Sequence, residues 1–413
     1  MKAVFIHDTY YSRAPGGAVY AFGNFPHSLW QERFLPHFHA LTIIGREKPF
    51  EPSHALNAIR SDGPGVRFVL LPNISTPIAR IFGSAPATNQ IREEVGRANA
   101  LILRGPSEFG MIAAREAKIV KLTSVNAAHT IPVAVEMSGC AFDHTWHHGS
   151  PTGKLYAPVK YLRARHMVKN ADHVIYVTKE FLQRRYPASP KSSGETIANA
   201  SNVEIISPPS SLLLQKLSKI ENRETIVFGL IGNYGNKLKG IDVAINALAR
   251  LRPQLPSFEL RILGHGPPAP HKDFVKFHEP LNNPADILAW LDDVDIYLQP
   301  SRHEGLPRAL IEAMSRGCPV LASNAGGIPE LLDKECIHRK GNIRQLSIQI
   351  LNALNPEWRK RQATRNFELA KEYSRDVLLP RRDQFWTSFA ALAARRKSEF
   401  SREPQQENIL AEI

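Results

Sequence analysis

Short runs of apolar residues alternate along the chain with longer segments whose apolar positions recur at helical spacing. The short runs predict strands, at residues 4–6, 41–44, 66–70, 100–103, 132–135 and 173–177 in the first half and 226–231, 258–263, 295–299 and 319–322 in the second. Segments such as 89–99, 154–169 and 241–251 predict helices between them. Apolar strands that alternate with helices are typical of parallel sheets covered on both faces. The pattern therefore predicts an α/β fold of two Rossmann-like, doubly wound domains that face each other across a cleft.

Prolines and serines interrupt this pattern at residues 206–211, which is typical of a linker. We therefore predict one domain over residues 1–206 and a second over 207–380. A basic, aromatic-rich helix at 381–397 is expected to pack back on the first domain, before a polar tail that frays from about residue 398. Paired domains of this kind bind ligands at the carboxyl ends of their strands, so the loops after strands are the candidate sites.

The composition narrows the class of protein. Of the 413 residues, 43% are hydrophobic and 22% are charged, which excludes disordered and coiled-coil proteins. Three cysteines without metal-site spacing exclude a disulfide framework. We find no signal peptide and no apolar run long enough to span a membrane, so we expect a cytoplasmic protein. The 52 Lys and Arg exceed the 39 Asp and Glu by 13, which leaves nucleic acid, membrane surfaces and anionic small molecules as candidate partners.

The segment 299–332 contains the most informative chemistry. A strand ends near residue 300, and a helix begins a few residues later, with Glu304 just before the helix and Glu312 inside it. Free backbone N–H groups at a helix N-terminus bind anions, and two flanking carboxylates suit the recognition of sugar and ribose hydroxyls. The remaining candidates at this helix start are Gly305, Pro307, Arg308 and Ala309.

This segment resembles the signature of the retaining glycosyltransferases of family four, which have the GT-B fold. Their Glu-x7-Glu motif is matched by Glu304 and Glu312. The resemblance implies that Glu304 contacts hydroxyls of the donor sugar, that Glu312 binds the ribose of the nucleotide, and that the backbone at 307–309 holds the diphosphate. It implies no cofactor and no metal: the nucleotide-diphosphate sugar is the donor substrate.

A second match to the family is the strand, loop and helix start at 230–240. Lys239 can stabilise the negative charge that grows on a diphosphate leaving group. The family usually places an Arg where this chain has Asn233. Either Lys237 or Arg302 replaces that Arg, or the diphosphate is bound more weakly. The donor loop thus contributes Gly232, Asn233, Lys237 and Lys239. A third match, a Gly-x-Gly turn formed by Gly264 and Gly266, approaches the nucleotide in the family, and residues 277–281 are expected to border the base.

The first half is expected to bind the acceptor. Gly16 and Gly17 follow the first strand and are predicted to precede a helix; they form either a loop that approaches the substrates or a tight turn. The segments 103–107, 136–150 and 176–187 resemble those of capsule and exopolysaccharide glycosyltransferases. Asp143 and His144 are the candidates for polar contact with the acceptor or sugar. The His-rich loop they belong to, which continues through His147 and His148, is also compatible with a metal site or with simple solvation.

The expected function is retaining transfer of a hexose to a saccharide or lipid-linked acceptor in bacterial surface polysaccharide synthesis. The alternatives are a catalytically lapsed sugar- or nucleotide-binding member of the fold, a GT-B phosphorylase or epimerase, and a basic nucleic-acid-binding protein. The basic stretches at 154–169, 184–185, 381–382 and 395–397 form either a solvated face or a dock on the anionic inner face of a membrane.

Overall fold

The computed structural model describes residues 1–52, 58–74, 84–123, 130–147, 150–190, 194–200, 205–266, 272–281 and 283–411. The strands of the first half are β1 (Lys2–Arg13), β2 (Val19–Ala21), β3 (Ala40–Glu47), β4 (Ile59–Arg60), β5 (Val66–Leu71), β6 (Ala100–Gly105), β7 (Val133–Met137), β8 (His173–Tyr176) and β9 (Ile197–Asn199). Its helices are α1 (His27–Arg33), α2 (Ser84–Gly96), α3 (Glu108–Thr123), α4 (Ala141–His147), α5 (Pro151–Lys169) and α6 (Phe181–Arg185).

The second half contains a sheet of six strands. These are β10 (Ile226–Ile231), β11 (Phe258–Leu263), β12 (Val275–His278), β13 (Ile296–Gln299), β14 (Val320–Ser323) and β15 (Ile337–His338). The helices are α7 (Ser210–Asn222), α8 (Ile241–Leu251), α9 (Pro284–Asp292), α10 (Arg308–Ser315), α11 (Ile343–Asn352), α12 (Pro356–Ala370) and α13 (Arg375–Ala411).

Both sheets have the strand order of a doubly wound fold. The second sheet runs β12-β11-β10-β13-β14-β15, and all its pairs are parallel. The parallel strands of the first sheet run β5-β3-β1-β6-β7-β8-β9. The strand order reverses between β1 and β6 in the first sheet and between β10 and β13 in the second. Ligands bind at such a switch point. The predicted fold class of two Rossmann-like domains is confirmed.

Alternating residues of β1 show why the first sheet is covered on both faces. Ala3 and Phe5 belong to one buried apolar cluster, whereas Val4 and Ile6 belong to another. Successive side chains of a strand point to opposite faces, so a continuous apolar run needs packing partners on both sides. The sequence predicted β1 on this basis.

Helix α13 packs against elements of the first half through its aromatic side chains. The ring of Trp386 lies 5.0 Å from that of Phe34, and Phe385 lies 5.6 Å from His173. Arg396 adds an ion pair with Asp172. These contacts hold α13 against the first half of the chain; the domain division at 206 and 380 stays a prediction.

Several elements differ from expectation. Strand β1 continues to Arg13 and forms a hairpin with β2, so Gly16 and Gly17 lie in a turn between strands and precede no helix. The segment expected to fray after residue 398 is helical through Ala411, since it is rich in good helix formers such as Glu, Gln, Leu and Ala. Outside the named strands, Ile205 makes an isolated bridge with Ser374.

Candidate active site

The switch point of the second sheet opens into a cavity of about 640 Å³ between the two halves of the chain. Gly232 follows β10 and Gln299 ends β13, and both line this cavity. We call it the donor cavity. Its other lining residues are Asn24, Ala58, Ile59, Ile231, Lys239, Leu281, Pro284, Ile287, Pro307, Arg308, Ala309 and Glu312. The structure thus brings together five of the predicted donor residues around Lys239.

Lys239 and Glu304 form an ion pair beside the donor cavity. The Nζ of Lys239 lies 2.8 Å from Oε1 of Glu304. The same oxygen accepts hydrogen bonds from Nε2 of Gln299 at 3.0 Å and from Oγ of Ser301 at 2.7 Å. Because one carboxylate oxygen receives all three donors, the orientation of the carboxylate is fixed. The Glu304 side chain is only 10% exposed.

The loop that carries Lys239 reaches this position through a glycine. Lys239 ends a short 3-10 turn and is followed by Gly240, whose φ is 67°. A Cβ built on Gly240 would lie only 2.0 Å from the carbonyl oxygen of Pro300. Only glycine therefore lets the backbone approach the end of β13 this closely. The turn brings the cation to the carboxylate sixty-five residues later in the chain.

Helix α10 begins at the donor cavity. Pro307 is its N-cap, and the first amides of a helix have no partner within the helix, so those of Arg308 and Ala309 are available to an anion. One turn later Glu312 lines the cavity, where its Oε1 accepts a hydrogen bond from Nε of Arg308 at 2.7 Å. The arrangement offers donors to a phosphate and a carboxylate to hydroxyl groups.

The glycines of the third motif lie behind the donor loop. A Cβ on Gly264 would lie 2.1 Å from the carbonyl oxygen of Gly232, and one on Gly266 would lie 2.9 Å from Oδ1 of Asn233. Asn233 itself caps the loop, since its Oδ1 accepts a hydrogen bond from the amide of Gly235. Gly264 and Gly266 are absent from the described lining of the donor cavity, so here they support the loop that carries Gly232.

Neither candidate replacement for the family's Arg lines the donor cavity within the described residues. Arg302 is held by both carboxylate oxygens of Asp242, at 2.8 and 2.6 Å, and by the carbonyl oxygen of Lys237. Lys237 is exposed. Lys239 and Arg308 are consequently the two cations in the described lining of the donor cavity.

The apolar border of the donor cavity comes from Leu281, Pro284 and Ile287, near the start of α9. Leu281 belongs to the segment expected to border the base. Phe277 from the same segment packs instead on the ring of Tyr234, with the ring centroids 4.6 Å apart. An apolar border of this kind suits a nucleobase.

A second cavity, of about 890 Å³, opens at the switch point of the first sheet. We call it the acceptor cavity. The carboxyl-terminal part of β1, the end of β3 and the end of β6 contribute His7 to Tyr10, Arg46 and Arg104. Further lining comes from Gly105, Pro106, Asn73, Ser138, Gly139, His144, Thr145, Ser150, Thr152, Gly153, Tyr156, Lys160 and His303.

Of the two predicted acceptor-side residues, His144 lines the acceptor cavity and Asp143 does not. Both oxygens of Asp143 are engaged, by Arg185 and by Lys340 of the second half, each at 3.1 Å. Burial alone would raise the pKa of Asp143, but these two cations outweigh it and hold the pKa below its usual value. Asp143 therefore links the two halves of the chain. The residue that the sequence suggested as a contact of the acceptor or sugar thus takes part in structural ion pairs.

His303 is a site residue that the sequence did not single out. Its ring lies 5.3 Å from that of His144, and it lines the acceptor cavity from the second half. Burial, together with the charge of Lys340, lowers the pKa of His303 to about 4 against the opposing effect of Asp143. The imidazole is thus neutral near pH 7. Its place directly before Glu304 is the signal that could have identified it.

The two glycines of the β1–β2 turn are absent from the described lining of both cavities, so the structure does not bring Gly16 and Gly17 to the site. Gly305 has a different role. A Cβ there would lie 2.0 Å from the carbonyl oxygen of Ser138, so it lets the loop of Glu304 press against the first half.

His148 lies outside the described residues. Within the described part of the chain, no group of three or more His, Cys, Asp or Glu side chains is arranged to hold a metal ion.

The chain resembles known proteins along nearly its whole length. A family model described as glycosyl transferases group 1 matches residues 225–355. Protein CapJ of Staphylococcus aureus is 30% identical over 378 residues, which cover 89% of this chain and 90% of that protein. The putative colanic acid biosynthesis glycosyltransferase WcaL of Escherichia coli is 38% identical over 114 residues, 24% of this chain and 28% of that one.

Among solved structures, HepE of Anabaena in complex with UDP-glucose aligns with a TM-score of 0.56 at 15% identity, covering 97% of this chain and all of that one. The paired Rossmann-like domains and the cleft between them define a GT-B protein. The chain belongs to the group 1 glycosyltransferases, so the resemblance to family four seen in the sequence is confirmed.

Proposed function

We propose that this glycosyltransferase moves a hexose from a nucleotide-diphosphate sugar to a saccharide or lipid-linked saccharide acceptor, with retention of configuration at the anomeric carbon. The observation that carries the proposal is the Lys239–Glu304 ion pair beside the donor cavity, next to the N-terminus of α10. The relatives support a role in bacterial surface polysaccharide synthesis, since WcaL is named for colanic acid biosynthesis.

The donor would bind with its diphosphate between Lys239 and the first amides of α10. Negative charge grows on that diphosphate as the glycosidic bond breaks, and a preorganised cation and helix dipole stabilise it. Glu304 would accept hydrogen bonds from sugar hydroxyls and Glu312 from ribose hydroxyls. Because Lys239 and α10 supply the positive charge, the mechanism requires no metal ion.

The acceptor would enter from the acceptor cavity. The bond from the anomeric carbon to the diphosphate breaks, and the bond to the acceptor oxygen forms on the same face. The acceptor proton passes to the departing phosphate oxygen. The loop 301–306, which contacts the first half through Gly305, lies between the two cavities and helps to exclude water from the reacting atoms.

A panel of nucleotide sugars tests this function. HepE was solved with UDP-glucose, so UDP-hexoses are the first donors to compare. We expect one donor to raise the melting temperature and to release its nucleoside diphosphate slowly in water and faster with an acceptor. The product should keep the anomeric configuration of the donor by NMR. Nucleotide binding without sugar release from any donor would indicate a lapsed enzyme, and an inverted product would contradict retention.

We also propose that helix α5 docks on the anionic inner face of a membrane. Leu155, Val159 and Leu162 are exposed by 80, 49 and 61% and lie along one face of the helix. Exposed Lys154 and Arg165 flank this apolar row. Apolar side chains bordered by cations suit the boundary between headgroups and acyl chains. Within the described residues, no helix has the length and apolar character to cross a bilayer.

The same helix connects this surface to the acceptor cavity. Tyr156 and Lys160 of α5 line the cavity, while Leu155 and Val159, their neighbours in sequence, face outward. An acceptor carried by a membrane lipid could therefore reach the cavity without leaving the bilayer surface. This placement is the reason to prefer a lipid-linked acceptor over a free saccharide.

A further inference from the structure

The described wall of the acceptor cavity carries three cations. Arg46, Arg104 and Lys160 all line it, although their side chains are only 12, 19 and 11% exposed. Each sits at the carboxyl end of a strand or on the adjoining helix α5. A charge removed from water to this extent requires an opposite charge nearby.

The carboxylates that pair with these cations are placed away from the cavity or are fully engaged. Arg104 binds Glu136 at 2.8 Å and Lys160 lies 3.7 Å from Glu108, and neither carboxylate lines the cavity in the described residues. Asp8 does line it and binds Arg46 at 2.7 Å. Its two oxygens also accept hydrogen bonds from Oγ of Ser107 and from the first amides of α3.

Further cations lie behind the wall. Glu108 is shared by Lys160 and Arg163. The charges that act on Arg382 include those of two other guanidinium groups, Arg33 and Arg104, and the opposite charge of Glu136. Burial, followed by repulsion from Arg33 and Arg104, lowers the pKa of Arg382 to about 9. An anion in the cavity would relieve this repulsion.

His7 provides an independent indication of a ligand. It is 2% exposed and lines the acceptor cavity. Its Nε2 is hydrogen-bonded to the hydroxyl of Tyr11 at 2.7 Å, whereas its Nδ1 is buried and has no hydrogen-bond partner in the described structure. If Nε2 accepts from Tyr11, Nδ1 carries the proton and is a donor. A buried donor without a partner is costly, and a ligand oxygen would satisfy it.

We propose that the acceptor carries an anionic group, a phosphate or a carboxylate, which binds among Arg46, Arg104 and Lys160 with Nδ1 of His7 as a further donor. The inference rests on the proposed function, in which this cavity holds the acceptor. The group belongs to the acceptor and not to the donor, because the donor cavity has its own cation in Lys239. Its source is either the phosphate of a lipid carrier or the carboxylate of an acidic sugar.

Direct binding of small anions to the full-length protein tests the site without any donor. The probes are inorganic phosphate and glucuronate, with glucose as the uncharged counterpart. We expect Arg104→Gln and Lys160→Gln to weaken binding of at least one anion about tenfold or more, as the loss of a charge-assisted contact does. Both variants should fold, since Glu136 keeps the neighbouring charges of Arg33 and Arg382 and Glu108 keeps Arg163.

Two further variants locate the bound anion. Arg92→Gln is the matched control, because Arg92 also pairs with a buried glutamate, Glu116, but is absent from the described lining of both cavities. Lys239→Ala reports binding in the donor cavity. We expect both variants to keep the affinity for the anion. The proposal is overturned if neither anion binds better than glucose, or if the loss follows Lys239→Ala in place of Arg104→Gln.

Transfer assays then separate the two sources of the anion. With an active donor, we compare a glycosyl phosphate, a glucuronide and their neutral counterpart as acceptors. Preference for one anionic acceptor, lost in Arg104→Gln, identifies the source. Equal transfer to the neutral acceptor in wild type and variant would overturn the inference while the proposed function stands. Absence of transfer to every acceptor would count against the function, and the binding experiment would still decide on the anion site.

Discussion

The carboxylate of Glu304 holds the ammonium group of Lys239 in position. Its ion pair with Glu304 keeps the ammonium at the edge of the donor cavity, and Gln299 and Ser301 hold the carboxylate from behind. The Lys239 side chain is 31% exposed, which leaves it accessible to a diphosphate from the open side. The pair is therefore preorganised for a charge that develops only during the reaction.

Removing either partner should reduce turnover while the fold remains. We expect Lys239→Ala and Glu304→Gln each to lower kcat about 100-fold or more, the usual effect of removing one electrostatic contact with a transition state. The measurement is steady-state transfer with the donor identified by the panel.

The matched control is Lys219→Ala, which breaks the exposed pair with Asp293 and should leave kcat unchanged. Melting temperatures close to that of the wild type would show that the variants are folded. Near-normal kcat in both Lys239→Ala and Glu304→Gln would remove this pair from the reaction.

Glu312 should act on binding and not on the chemical step. A ribose contact is the same in the ground state and the transition state, so Glu312→Ala should raise the KM for the donor about tenfold with little change in kcat. Glu368→Ala on α12, which breaks the exposed pair with Lys371, is the control. A donor KM that does not change would exclude Glu312 from the ribose site.

At the scale of elements, glycines set the distances between the loops of the site. Gly264 lets the turn after β11 approach the backbone of Gly232 after β10. Parallel neighbouring strands end at the same edge of a sheet, so their loops compete for the same space. The loop with Gly232 can line the donor cavity only because its neighbour has no side chain there.

Gly264→Ala should therefore destabilise the protein and weaken donor binding together. The added methyl would lie 2.1 Å from the carbonyl oxygen of Gly232, and we expect a loss of about 1–3 kcal/mol in the free energy of unfolding. Denaturant unfolding measures it. Gly96→Ala is the control, because a Cβ at Gly96 meets no atom within 4 Å. Equal stability of the two variants would show that the turn adjusts freely.

The elements themselves were largely predictable. Strands β10 and β11 and helix α8 begin and end where the sequence pattern places them, since each is a continuous apolar run or a regular amphipathic repeat. The short strands β2 and β4 were missed. They pair antiparallel at the extension of β1, and two or three residues have too little pattern to reveal such pairing.

At the scale of the whole molecule, the cations behind the net charge of +13 lie in different places and have different roles. Several cations expected on a basic face are instead structural. Arg185 pairs with Asp143, Arg396 pairs with Asp172, and Arg382 is buried. Lys160 turns toward the acceptor cavity. The exposed part of the excess includes the outer face of α5, where it adjoins the apolar row.

Binding to vesicles tests the docking of this face. We expect the protein to sediment with anionic phosphatidylglycerol vesicles at low salt, less so at moderate salt, and not with neutral phosphatidylcholine vesicles. The double variant Leu155→Ser/Leu162→Ser should reduce binding about tenfold or more, because it removes the inserted apolar surface.

The control is Leu214→Ser/Ile348→Ser, which changes two other exposed apolar residues, both in the second half. It should bind like the wild type. Absence of binding by the wild type at both salt concentrations would refute the docking surface, and equal losses in the two double variants would refute its location on α5.

The sequence alone determined the order of strands and helices, the spacing of Glu304 and Glu312, and the place of Lys239 at a helix start. These are local properties, fixed by residues within one or two turns of each other. The tertiary structure decided which charges meet. Arg302 pairs with Asp242, which is sixty residues away in the sequence, and Asp143 pairs with Lys340, which is 197 residues away. It also placed Arg46, Arg104, Lys160 and His7 around one cavity. Such contacts depend on how the strand ends converge, and no local pattern records that.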